Sequence, residues 1–186
     1  MERAHGRAPD LVVLTGDIGD GRVEGLRDDV APLEGLAPRA RRFFILGNHD
    51  VYAGARAWVE HFRALGFGVL LNEHARLTHR GATLLLGGVT DPALGPPGQG
   101  SGPNPERAAA RGEAADLRIL LAHNPKLAPL AERAGFDLQL SGHTHAGQFF
   151  PWTLAVKAVH APHVAGDVPR ARTWREAGAA AIRRAI

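Results

Sequence analysis

The chain contains no cysteine, which excludes both a disulfide framework and any thiolate metal site. A metal ion could therefore be held only by histidine, aspartate, asparagine or glutamate. No apolar run reaches the ~18 residues of a membrane-spanning helix, and the opening Met1-Glu2-Arg3-Ala4-His5-Gly6 lacks the apolar core of a signal peptide. As written, the chain is expected to be soluble and cytoplasmic, or peripheral or membrane-anchored if a longer N-terminus exists. Lysine is nearly missing, because almost all of the 22 basic residues are arginine; with 19 acidic residues the formal charge is only +3. Neither an aromatic platform nor a recognition motif accompanies the arginines, so nucleic acid is not an expected partner. There is also no Gly-x-Ser-x-Gly elbow to present a serine nucleophile.

What remains is an ordinary globular composition. At 186 residues and 45% hydrophobic content, the chain suits one domain with a substantial core. Short apolar runs at Leu11-Val12-Val13-Leu14, Phe43-Phe44-Ile45-Leu46 and Ile119-Leu120-Leu121 have the pattern of strands buried on both faces. Further strands are expected at residues 69–71, 76–79, 84–89 and 136–140. Leu26, Val30, Leu33 and Leu36 recur at helical spacing with a break at Pro32, and Trp58, Val59, Phe62 and Leu65 mark a helix closed by Gly66. Residues 106–116 and 127–134 are expected to be helical, as is the polar stretch before Pro9. Residues 91–105 are crowded with glycine and proline, which predicts a mobile rim without regular structure.

Four times an apolar strand ends and a possible ligand follows at once. These ligands are Asp17, the Asn48-His49-Asp50 group, His123, and the pair His143 and His145. In sheets with parallel character, ligands bind beyond the carboxyl ends of the strands. The four groups are therefore expected to converge, although they lie far apart in sequence. Carboxylate, carboxamide and imidazole together suit a first-row divalent ion. Such an ion can drive phosphoryl displacement by an activated water with no protein nucleophile. His49 is placed to meet developing charge or protonate a leaving group, with Asp50 as its orienting partner.

Thr15-Gly16-Asp17, Gly47-Asn48-His49-Asp50, Ala122-His123 and Gly142-His143-Thr144-His145 resemble successive blocks of the calcineurin-like metallophosphoesterase superfamily. Residues 11–21 and 141–152 look most like the bacterial branch that includes membrane-associated phosphodiesterases and UDP-2,3-diacylglucosamine pyrophosphatases. The resemblance implies an α/β fold, a β-sandwich flanked by helices in α-β-β-α layers. It also implies a binuclear centre of manganese, iron or zinc that hydrolyses phosphodiester or pyrophosphate bonds in a phosphorylated small-molecule or lipid-linked substrate. Carried over, Asp17 resembles the bridging carboxylate, and Asn48, His123 and His143 resemble ligands of the second metal. His145 resembles a ligand of the first metal, and His49 the residue that contacts the scissile phosphate. The family's opening Asp-x-His block has no counterpart here, leaving Asp17 and His145 for the first metal. The expectation is a domain over residues 1–166, incomplete at both ends, followed by a basic helical tail over residues 167–186. The alternative reading is a catalytically impaired fragment or pseudoenzyme that keeps one metal site.

Overall fold

The computed structural model describes residues 9–36, 39–110 and 112–144. The helix expected before Pro9, the tail from residue 167 and His145 lie outside these residues. Two sheets face each other. The first holds β1 (Leu11–Leu14), β2 (Arg41–Phe44) and β3 (Gly68–Val69), all parallel, in that order. The second runs β4 (Glu73–His79), β5 (Ala82–Gly88), β6 (Leu117–Leu121) and β7 (Leu138–Leu140). Within it β4 and β5 form an antiparallel hairpin, and β5, β6 and β7 are parallel.

The continuous apolar runs work because successive side chains in a strand point to opposite faces. Leu11, Val13, Phe43, Leu84, Leu86, Ile119 and Leu121 meet between the two sheets. Their neighbours Leu14 and Phe44 point outward to α1 (Val23–Val30) and α2 (Asn48–Ala64), where Trp58, Val59 and Phe62 cover them. On the far side, Leu85 and Leu120 meet α3 (Pro105–Ala108) and α4 (Ala128–Arg133) through Ala108 and Ala131. The result is the expected order of layers: helices, sheet, sheet, helices.

Several boundaries differ from the sequence expectation. β2 sits two residues early; Ile45 and Leu46 are buried and still extend the path, with the Ile45 amide bonded to the Leu14 carbonyl at 3.1 Å. The helix expected over residues 106–116 stops at Ala108, because Ala110 (φ 46°) and Gly112 (φ 93°) turn left-handed. As expected, Pro32 ends the regular helix, in a 3-10 turn (Ala31–Leu33). α2 is interrupted at Gly54 (φ 124°), so its first turn is a separate piece that carries Asn48, His49 and Asp50.

Residues 91–105 are not an unstructured rim. Asn72, itself in the left-handed region (φ 58°), reaches into them from the start of β4. Its Nδ2 donates to the Gly102 carbonyl at 2.9 Å and to Thr90 Oγ1 at 3.3 Å. Its Oδ1 accepts the Asn104 amide at 2.7 Å and the Thr90 amide at 3.4 Å. One buried carboxamide thus uses both ends to fold the segment back on the second sheet. Composition registers the lack of helix and strand but not such a pin.

Candidate metal centre

The chain leaves β1, β2, β6 and β7 at one edge of the sandwich, and the loops there bring the candidate ligands together. Asp17 follows the Thr15-Gly16 turn with φ 54°, an uncommon conformation that aspartate tolerates better than most residues. Its Oδ2 lies 2.9 Å from Nε2 of His123. Oδ1 of Asn48 is 3.2 Å from the same nitrogen and 2.9 Å from Nδ1 of His143. The two imidazoles approach to 3.3 Å between those nitrogens, with their rings nearly perpendicular. Ligand atoms of Asp17, His123 and His143 all fall within 4.8 Å of one another.

This close approach depends on small residues. A Cβ on Gly47 would lie 2.2 Å from Oδ1 of Asp17 and 2.6 Å from its amide nitrogen. The glycine is needed here for space, since its φ of −99° suits any residue. Asp17 and the first turn of α2 also lock each other. The Asp17 amide donates to Oδ2 of Asp50 at 2.8 Å, as does the Gly47 amide, and Oδ1 of Asp17 accepts the His49 amide at 2.9 Å. His123 is 1% exposed, and its Nδ1 lies 2.7 Å from the Thr15 carbonyl.

The donor set fits a cation. With the His123 ring neutral, Nδ1 donates to the Thr15 carbonyl and Nε2 presents a lone pair. That lone pair faces a carboxylate oxygen, a carboxamide oxygen and a second ring nitrogen, which offers its own lone pair when the His143 proton is on Nε2. A divalent first-row ion satisfies such a set.

The structure places the other two candidates differently. His49 stands at the rim, about half exposed, and its Nδ1 pairs with Oδ1 of Asp20 at 2.9 Å. That hydrogen bond is the main reason its pKa is raised, with lesser help from the charges of Asp17, Asp20 and Asp50 and opposition from burial. Asp50 is therefore not its orienting partner, contrary to the sequence expectation. Asp50 is fully buried beneath the turn and holds backbone amides; burial raises its pKa, and the Gly47 and Asp17 amides restrain the rise. In sequence Asp20 reads only as part of a turn. Its signal is weak: one more acidic residue, three positions after Asp17.

Comparison with known proteins shows the family. Residues 1–147 match the model of the calcineurin-like phosphoesterase family. The chain is 39% identical over 155 residues to a zebrafish (Danio rerio) transmembrane protein with metallophosphoesterase domain, covering 78% of this chain and 35% of that protein. It is 34% identical over 158 residues to an uncharacterized metallophosphoesterase of Helicobacter pylori, covering 84% of this chain and 41% of the relative. The chain thus spans well under half the length of these curated relatives. Among solved structures, a 5'-nucleotidase precursor from Thermus thermophilus shares the fold with a TM-score of 0.55 at 20% identity, over 81% of this chain and 36% of that one. With a family match across most of its length and four ligand-bearing loops gathered at one edge, the chain belongs to the calcineurin-like phosphoesterase family.

Proposed function

We propose that the protein is a metal-dependent phosphoester hydrolase acting on phosphodiester or pyrophosphate bonds. The observation that carries this reading is the convergence of oxygen and nitrogen ligand atoms from Asp17, Asn48, His123 and His143 on one point. A divalent ion held by these residues would supply a Lewis acid for a phosphoryl oxygen and would lower the pKa of a water bound to it. Asn48 and His143 close one side of the centre, and buried His123 is held in register by the Thr15 carbonyl. His49 is the proton donor toward substrate. Asp20 occupies its Nδ1, which leaves Nε2 to approach a phosphate or leaving oxygen. Asp50 ties the turn bearing Asn48 and His49 to Asp17 and so keeps donor and ligands at a fixed separation.

A second reading has a specific observation behind it: the described donors form one set, enough for one ion. On that reading the 186-residue chain binds a single ion and turns over slowly, and the two-ion clamp needs ligands beyond those described. For substrate, the reading takes a phosphorylated small molecule or a lipid-linked phosphoester. No helix among the described residues is long and apolar enough to cross a membrane.

The deciding experiment measures bound manganese, iron and zinc per chain, together with hydrolysis of bis-p-nitrophenyl phosphate. Metal-dependent turnover supports the hydrolase. One tightly bound ion without turnover supports the single-ion reading, and no bound ion rejects both.

A further inference from the structure

The turn after β5 carries a carboxylate with no part in the scheme above. Asp91 is 3% exposed. Its Oδ1 accepts the Ala93 amide at 2.9 Å and so opens the 3-10 turn Pro92–Leu94. Its Oδ2 is fully buried and meets no hydrogen-bond donor among the described residues. An ionised oxygen in that situation is costly to bury. Folded proteins keep few such groups, and those they keep call for an explanation.

Its surroundings supply one. The preceding residue, Thr90, is fixed by Asn72 and by the Ser101 carbonyl, so Asp91 cannot easily swing out to water. The Pro92–Leu94 turn packs on α2, where Leu94 joins the cluster built on Trp58 and Phe62. α2 begins with Asn48. Burial raises the pKa of Asp91; the Ala93 amide and the charge of His123 oppose the rise, and the charge of Asp17 adds to it. β5 and β6 run parallel with Gly88 opposite Leu121, and the Val89 amide donates to the Leu121 carbonyl at 3.1 Å, so Asp91 and His123 leave the sheet at the same edge. Asp91 is not one of the group whose ligand atoms lie within 4.8 Å of one another. Asp17 brings one negative charge among neutral ligands, whereas a divalent ion carries two positive charges.

We propose that Asp91 is the second counter-charge of the metal centre, a positioning residue whose buried, undonated oxygen is compensated when a cation is held by Asp17, Asn48, His123 and His143. This rests on the reading of those four residues as a cation site. Asp91 then has opposite effects on two measurable quantities: it burdens the metal-free fold and strengthens the loaded one. A residue kept only for structure would move both the same way.

The test uses the full chain, stripped of metal by chelator, in wild-type form and as Asp91→Asn and Asp91→Ala. Asparagine keeps an oxygen for the Ala93 amide and puts an uncharged NH2 where the undonated oxygen was, whereas alanine removes both oxygens. Manganese affinity is read by titration calorimetry, and thermal midpoints are taken with and without manganese. The expected result for Asp91→Asn is a metal-free midpoint at or above wild type, with manganese bound about 10-fold or more weakly, the range for groups that support a ligand shell from outside. Asp91→Ala should lose similar affinity and also melt lower without metal. Wild-type affinity in Asp91→Asn would overturn the proposal, as would a parallel fall in its metal-free midpoint and its affinity. A wild-type chain that binds no manganese would instead reject the cation site itself, and this inference with it.

Discussion

Nδ1 of His123 lies 2.7 Å from the carbonyl oxygen of Thr15, a contact that spans 108 residues of chain. A carbonyl only accepts, so in the neutral ring the proton sits on Nδ1 and the lone pair of Nε2 points at Asp17, Asn48 and His143. The main chain of one loop thus sets the tautomer of a side chain on another.

Replacing that ring should therefore empty the site. His123→Ala is expected to weaken manganese binding at least 10-fold, since changes one step further out already cost about 10–100-fold. Metal content after dialysis checks this. Equal content in wild type and variant would mean that His123 is no ligand.

His49 should behave in the opposite way. It sits at the rim with its Nδ1 on Asp20 rather than among the converging acceptors. In a catalytically active form of the protein, His49→Ala is expected to lower turnover by roughly 100-fold or more while metal content stays near wild type. Asp20→Asn should cause a smaller loss of turnover, again with metal retained. Joint loss of metal and turnover in His49→Ala would make it a ligand instead.

Gly47→Ala tests whether the centre depends on space. The new Cβ would lie within 2.2 Å of Oδ1 of Asp17, so Asp17 or the first turn of α2 must move. Overpacking of this kind costs about 1–3 kcal/mol. A lower thermal midpoint and weaker manganese binding are expected together. Unchanged values for both would show that the two loops are not held as tightly as their hydrogen bonds imply.

Asn72→Ala removes the pin from residues 91–105. The Asn104 amide and the Gly102 carbonyl lose their carboxamide partner, and alanine must also occupy φ 58°. About 2–4 kcal/mol of stability should disappear, read as a shift in the urea midpoint. A shift worth less than about 1 kcal/mol, the net value of a single hydrogen bond, would mean that the segment is held elsewhere.

The layers and most of the centre could be read from the residues because both depend on local pattern. Runs such as Ile119-Leu120-Leu121 must divide their side chains between two faces, and a ligand just past a strand end must lie at the sheet's edge. What escaped reading depends on contacts across the fold. Nothing near Asp50 in sequence shows that its carboxylate is occupied by the Gly47 and Asp17 amides. Nor does anything near Asp20 show that it meets His49, which arrives on the first turn of α2. Ala110 adopts φ 46° inside an alanine-rich stretch that by propensity would continue as helix. Tertiary packing decides such positions, and the sequence window around them carries little trace of it.

The long separations within the centre also govern its order of assembly. His143 meets Asn48 across 95 residues and His123 meets Asn48 across 75, so no short segment can nucleate the site. Closing loops of that length comes late and depends on the sheets having already docked. An ion can therefore act only as a latch on a finished sandwich and not as a template for building one. Interactions missing from the folding transition state slow unfolding and leave refolding untouched. In stopped-flow experiments manganese should thus lengthen the unfolding time and leave the refolding rate as it is in its absence; faster refolding would place the ligands together before the sheets. The ion's contribution to the native state is one of lifetime.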